Sequence, residues 1–249
     1  TSSELHCLMT GGMATIAGSV MGAYISFLGG TDPEQLAKFA TYLLCASIMN
    51  APAAIVMAKI FLPETSPEKI DRNLHINKDS VGVNLVDALA SGAADGLRLA
   101  LNVGAMLLAF IAIIAALNWI LMEGIGSWTG LNEWVRESTN NTFSGFSLEY
   151  IFGQIFRVIA FAMGVEWANT LQVGSLLGQK MVINEFVAYS SLAEMNSGGV
   201  LTEKSIIIST YALCGFANFS SIAIQIGGIG GMAPQRQSDL WRLGMRALL

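Results

Sequence analysis

Apolar and polar positions fall in long blocks along this chain. Residues 5–30 contain no Asp, Glu, Lys or Arg, and residues 39–58 lie uncharged between Lys38 and Lys59. Residues 99–122 (LALNVGAMLLAFIAIIAALNWILM) form the most conventional stretch, and residues 205–235 are uncharged but rich in glycine and small polar residues. About 20 such residues carry a helix across a bilayer, so each stretch predicts a membrane span. Residues 62–80 (LPETSPEKIDRNLHINKDS) are polar, carry Pro63 and Pro67, and read as a loop. Residues 81–100 then set Val83, Leu85, Val86, Leu89, Ala93 and Leu97 near helical spacing, with Asp87 and Asp95 towards the other face. That pattern predicts an amphipathic helix at the interface, feeding the third span.

Residues 123–149 are a second polar loop. Trp119, Trp128 and Trp134 stand near its start, where an aromatic belt would sit. In residues 150–195 an apolar run, 151–165, is interrupted by Arg157 and followed by the polar tip EWANT and a second amphipathic run, 171–192. Each half is short for a crossing. Lys59, Lys69, Arg72 and Lys78 collect after the second span, and Arg236, Arg242 and Arg246 after the fourth. If both basic clusters face the cytoplasm, residues 150–195 begin and end on one side. A re-entrant hairpin satisfies that parity, as would two full spans; a single crossing does not.

Composition agrees with the pattern. The 249 residues are 53% hydrophobic and only 12% charged, about half the charge of a soluble domain. This excludes disorder, a nucleic-acid binder and an ordinary cytosolic enzyme, while the net charge of −5 names no partner. No signal peptide is visible, because the first apolar stretch lacks a basic flank and is too long. The chain starts at Thr1 and ends in WRLGMRALL as another apolar segment begins, and so reads as a fragment. The expected fold is an all-α polytopic membrane protein with a re-entrant helical hairpin.

Three segments are polar or glycine-rich where a span should be inert. In GGMATIAGSVMGAY, residues 11–24, Gly11, Gly12 and Gly18 with Thr15 and Ser19 allow a helix break at mid-depth. Unwound carbonyls and the Thr15 hydroxyl suit a hard cation such as sodium. Close packing through small residues is the commoner cause of such a run. In LLGQKMVINEFVAYSSL, residues 176–192, Lys180, Asn184, Glu185 and Tyr189 recur in an apolar frame. A helix would put Glu185 beside Tyr189 and Lys180 beside Asn184. A carboxylate at membrane depth must be paired or line a wet cavity. Glu185 suits sugar hydroxyls or proton transfer, against a purely structural pairing. In YALCGFANFSSIAIQIGGIGG, residues 211–231, Asn218 and Ser221 would share a helical face, and Phe216 or Phe219 could stack on a planar ring, although phenylalanines in spans usually face lipid or core.

Other signals carry less. Gly228, Gly230 and Ala233 match GxGxxA, but without a preceding strand they make no dinucleotide site. His6 and His75 lack ligand spacing, and Cys7, Cys45 and Cys214 form no metal or redox motif. Asn140-Asn141-Thr142 is a glycosylation sequon of a kind frequent by chance. No GxSxG and no P-loop occurs, and no nucleophile and base stand at triad spacing, so the chain does not read as an enzyme.

GQKMVINEFVAY, GGMATIAGSVMGAYISF and ALCGFANFSSIAI, with LNVGAM, PET and MAP-x-R, occur in order along nearly the whole chain. Together they resemble the C-terminal portion of a concentrative nucleoside transporter, and residues 178–189 resemble that family's G-x-K-x-x-x-N-E-F-V-A-Y signature. The resemblance implies a homotrimer in the plasma membrane (the inner membrane if bacterial), importing nucleosides such as uridine, cytidine or adenosine by elevator-like alternating access. The coupling ion would usually be Na+, with no other cofactor and no nucleic acid. By resemblance, Glu185, Asn218 and Ser221 match ribose-binding positions, Phe216 the adjacent aromatic and Val20 an apolar contact to the base. Thr15 and Ile16 match sodium-coordinating positions. Residues 1–62 would be the first broken helix and following span of the transport domain, and 63–98 a cytoplasmic loop and interfacial helix. Residues 99–123 would be a scaffold span, 124–149 an extracellular loop, 150–196 the hairpin, 204–235 the second broken helix and 236–249 the start of a last helix. The family's first hairpin, which reads the base and supplies the remaining ion ligands, would precede Thr1. These residues would therefore hold the ribose half of the site and should not transport alone. A proton-coupled permease, with Glu185 or another carboxylate carrying the proton, is the competing expectation, and a nucleoside sensor without transport a further one.

Overall fold

The computed structural model describes residues 1–70 and 84–249, which are helix, turn and loop with no strand among the described residues. The first apolar stretch is two helices, α1 (Ser2–Ala14) and α2 (Gly18–Gly29), parted by extended backbone at Thr15 (φ −115°, ψ 159°) and Ala17 (φ −69°, ψ 140°). The second is α3 (Pro33–Phe61), started by the Asp32 side chain accepting from the Glu34 amide and by proline at the first helical position. Ser2–Gly29, Pro33–Phe61 and Ile111–Thr129 are long and apolar enough to cross a membrane, and Phe219–Gly230 is a shorter apolar helix.

Asn84, accepting from the Asp87 amide, caps α4 (Leu85–Trp119). Residues 85–100, expected as an interfacial helix, are thus continuous with the third apolar stretch, while residues 81–83 lie outside the described residues. Leu85, Leu89, Leu97, Leu101 and Leu108 are all more than 60% exposed, a surface made for lipid or other protein rather than water. A π-helical segment (Ile120–Gly126), the single turn α5 (Ser127–Thr129) and α6 (Leu131–Ser138) lead back to α7 (Leu148–Ala162). Asn118 joins α4 to α7: its amide donates to both Glu149 carboxylate oxygens at 3.0 Å, and the Leu148 amide donates to its oxygen at 2.8 Å.

Helix α8 (Thr170–Val182) returns antiparallel along α7. A Cβ on Gly174 would stand 2.7 Å from the Gly153 carbonyl oxygen, so these two backbones pack as only glycine permits. The run 171–192 is not one helix. It breaks at Ile183 (φ −98°, ψ −85°), and the Asn184 side chain starts α9 (Glu185–Ser197) by accepting from the Val187 amide. An asparagine whose side chain binds its own backbone favours such a start over helix continuation. Lys180 and Asn184 therefore do not share a helix face, whereas Glu185 and Tyr189 both lie on α9.

The fourth stretch is likewise two helices, α10 (Glu203–Leu213) and α11 (Phe219–Met232), before α12 (Gln237–Leu248). One core packs Tyr24, Leu43, Leu176, Tyr189 and Leu213, and a second packs Met9, Met13, Ile226, Ile229 and Leu240. Ile16 packs on the first and Met13 in the second, so the helix breaks lie where the two cores meet.

Candidate functional site

The breaks of α1–α2 and α10–α11 are bound to each other. The Phe216 amide donates to the Met13 carbonyl at 2.8 Å. From α3, the Asn50 amide donates to the Ala14 carbonyl at 3.0 Å and to the Cys214 carbonyl at 2.7 Å, tying one helix end to the other. Gly215 passes between them at φ +146°, and a Cβ there would stand 2.9 Å from the Ala14 carbonyl oxygen. Only glycine suits that backbone and that clearance.

The two breaks treat their carbonyls differently. At the end of α10 the chain supplies its own donors: the Tyr189 hydroxyl to Thr210 (2.7 Å), the Cys214 amide to Tyr211 (3.1 Å), the Lys180 ammonium to Ala212 (3.0 Å) and Asn50 to Cys214. At the first break the carbonyls of Met13 and Ala14 are occupied, but those of Thr15 and Ile16 accept no hydrogen bond within the described protein. The Thr15 hydroxyl makes none either. Three oxygens are therefore free at one unwound turn, the donor set a hard cation takes. Among the described residues no group of three His, Cys, Asp or Glu stands together.

Beside them α9 begins. Glu185, buried, accepts from the Tyr24 hydroxyl at 3.1 Å and from the Asn218 amide at 3.3 Å. Tyr24 stacks on Tyr189 with centroids 4.2 Å apart. Asn218 is the N-cap of α11: its oxygen accepts from the Ser221 amide (2.9 Å) and the Ser220 hydroxyl (2.6 Å), leaving its amide for Glu185. A cavity of about 340 Å³ is lined by Gly12, Thr15, Ile16, Ala17, Val20, Glu185 and Phe216. Its lining joins an aromatic residue and apolar residues to the buried acid Glu185 and to the unwound turn at Thr15 and Ile16.

A family model described as Na+ dependent nucleoside transporter C-terminus matches residues 42–249. The chain belongs to that family. YutK, an uncharacterised transporter of Bacillus subtilis, is 45% identical over 250 residues, which cover all of this chain and 56% of the relative. Sodium/nucleoside cotransporter 1 of Sus scrofa is 40% identical over 263 residues, covering all of this chain and 37% of the relative. Among solved structures, CNTnw in an inward-facing substrate-bound state matches with a TM-score of 0.77 and 39% identity, over all of this chain and 53% of that one. A CNTnw variant in an outward-facing state matches with a TM-score of 0.80 and 39% identity, over all of this chain and 54% of that one. The chain thus spans about half the length of these structures and a third to just over half of the curated relatives.

In this member of the transporter family, five of the seven residues singled out from the sequence, Thr15, Ile16, Val20, Glu185 and Phe216, line one cavity. Asn218 and Ser221 do not line it. Asn218 stands against Glu185, and the Ser221 hydroxyl is buried there without a partner. Phe219, the other aromatic considered, is 43% exposed and away from the cavity lining. Tyr24 and Asn50 were not singled out. Tyr24 stands within the first glycine-rich segment, one helical turn past Val20, which was the available signal; Asn50 is an amide in an uncharged span, two residues before Pro52 in a helix, and nothing local marks its two partners.

Proposed function

We propose that the whole protein to which this chain belongs is a secondary active transporter that imports nucleosides by Na+ symport, with an elevator-like alternating-access mechanism. The supporting observation is that Glu185, whose carboxylate is held by Tyr24 and Asn218, lines one cavity with Thr15 and Ile16, whose hydroxyl and carbonyls make no hydrogen bond among the described residues. Ribose hydroxyls donate to Glu185, with Asn218 and Ser221 supporting that side. The base lies towards Val20 and Phe216. Sodium takes the Thr15 hydroxyl and the carbonyls of Thr15 and Ile16, and the rest of its ligands come from elsewhere in the protein.

A cation beside the substrate organises the cavity for it, so each ligand raises the affinity of the other by one coupling factor. A nucleoside lacking a ribose hydroxyl leaves buried groups unpaired, at a cost of about 1–3 kcal/mol each. In this reading residues 99–123 belong to a fixed scaffold at the centre of a homotrimer. Residues 150–196 act as a hairpin that enters and leaves the plasma membrane on one side, and move with the broken helices. The reaction needs no further cofactor and no covalent chemistry.

The test is radiolabelled uridine uptake by the full-length protein in proteoliposomes, with an inward sodium gradient against choline at fixed pH. Sodium-dependent accumulation is the expected result. Uptake indifferent to sodium but driven by a pH gradient would move the coupling to protons. Saturable binding without accumulation would make the protein a sensor.

A further inference from the structure

Lys180 is a cationic side chain beside the second helix break. It stands in the last turn of α8, and its ammonium donates to the Ala212 carbonyl, in the last turn of α10, at 3.0 Å. It forms no ion pair with a described carboxylate. Glu185, the acid that acts on it electrostatically, is five residues on, beyond the break at Ile183, and accepts one hydrogen bond each from Tyr24 and Asn218. On its other side Lys180 shares a cavity of about 240 Å³ with His6, Asn50, Ala14, Gly215 and Arg246, which has no Asp or Glu side chain in its lining. Ala14, in the same lining, is the residue before Thr15, where the free oxygens of the first break begin.

The C-terminal ends of α8 and α10 present carbonyl oxygens and the negative ends of two helix dipoles, which draw a cation. At the first break such oxygens are left open. At the second, Lys180 already fills the place. We propose that Lys180 is a tethered cation: it closes the second break to free ions, serves as the standing counter-charge for Glu185, and sets how strongly the first break must attract sodium. It is a positioning residue, touching neither nucleoside nor ion. This inference rests on the sodium-symport reading, and the experiment separates the two.

The physical consequence has a sign that a merely structural lysine would not produce. A fixed positive charge near a cation site, away from bulk water, weakens cation binding. Removing the charge while Glu185 remains leaves the carboxylate to sodium alone. Sodium should then bind more tightly, although the protein has lost a hydrogen bond and a buried partner.

The experiment uses the full-length protein in nanodiscs, with equilibrium [3H]uridine binding measured across sodium concentrations at constant ionic strength in choline. Wild-type binding that does not depend on sodium would overturn the symport reading itself and this inference with it. Given sodium-dependent binding, Lys180→Met and Lys180→Gln should each reach half-maximal binding at about threefold less sodium or lower, while Lys180→Arg should stay within about twofold of wild type. Lys180→Gln retains a donor for Ala212 without charge. A glutamine variant matching wild type, or an unchanged or higher sodium requirement in either neutral variant, would overturn the tethered-cation role. Should both neutral variants fail to fold, the double variant Lys180→Met/Glu185→Gln decides: recovery of a monodisperse, cooperatively melting protein supports the charge pairing, and failure to recover overturns it.

Discussion

Tyr24 and Tyr189 stack with their ring centroids 4.2 Å apart and 23° between planes, yet their hydroxyls serve different parts of the site. Tyr24 donates to the Glu185 carboxylate, and Tyr189 donates to the Thr210 carbonyl near the end of α10. The stack therefore couples α2, α9 and α10 around one carboxylate. A hydrogen bond to an ionised group contributes more than one between neutral partners. Tyr24→Phe should keep the stack and the fold but weaken uridine binding about tenfold, as the loss of ~1.4 kcal/mol implies. Titration of the full-length variant in sodium, beside its melting curve, checks both halves of that statement.

Asn50 holds two helix ends with one amide, donating to Ala14 and Cys214. Asn50→Ala strands two carbonyls and should destabilise the protein by about 2–3 kcal/mol. Asn50→Asp is nearly isosteric but faces those carbonyls with acceptors, so it should be the worse of the two. Thermal unfolding of the purified variants gives the order, and an aspartate variant as stable as wild type would remove Asn50 from this role.

Gly215 has a backbone (φ +146°) that side chains rarely adopt, pressed against the Ala14 carbonyl. Gly215→Ala should cost about 1–3 kcal/mol in strain, before any displacement of the crossing. Gly227, in α11, has open space around a built Cβ, and Gly227→Ala should leave the melting temperature unchanged or raise it slightly. Comparing the two variants separates the crossing from a general intolerance of alanine.

Outside the spans, Glu203 at the start of α10 is held below the usual carboxylate range by its hydrogen bond from Lys38, at 2.5 Å, and by that charge. A depressed carboxyl contributes stability that is present above its ordinary value of 4.5 and lost as pH falls through the lowered one. The pair is exposed, so solvent screening keeps its contribution small. Glu203→Gln should therefore melt close to wild type at neutral pH. Any difference should shrink further as the buffer is taken into the acid range and in high salt.

Local chemistry made the two broken spans readable. Glycine and hydroxyl residues around Thr15, and the amide and serines after Cys214, are poor material for an uninterrupted apolar helix, and each break falls there. Glu185 stood out because a lone carboxylate in an apolar frame demands a partner. The partners themselves were another matter. Glu185 takes Tyr24 from 161 positions away, and Asn50 reaches Cys214 across 164; such pairs exist only once the helices have crossed. The break at Ile183 was hidden for a different reason. The run 171–192 keeps an amphipathic pattern through it, and Asn184 acts as a cap rather than as one more polar position.

In the proposed function one cavity binds a nucleoside through Glu185 and depends on a cation at the neighbouring break. Equilibrium [3H]uridine binding to the full-length protein, wild type and Glu185→Gln, each in sodium and in choline, tests it most directly. Wild type should bind tightly in sodium and much more weakly in choline, and Glu185→Gln should lose about tenfold or more in sodium with its fold intact. Equal wild-type binding in both salts, or near-wild-type affinity in a folded Glu185→Gln, would contradict it.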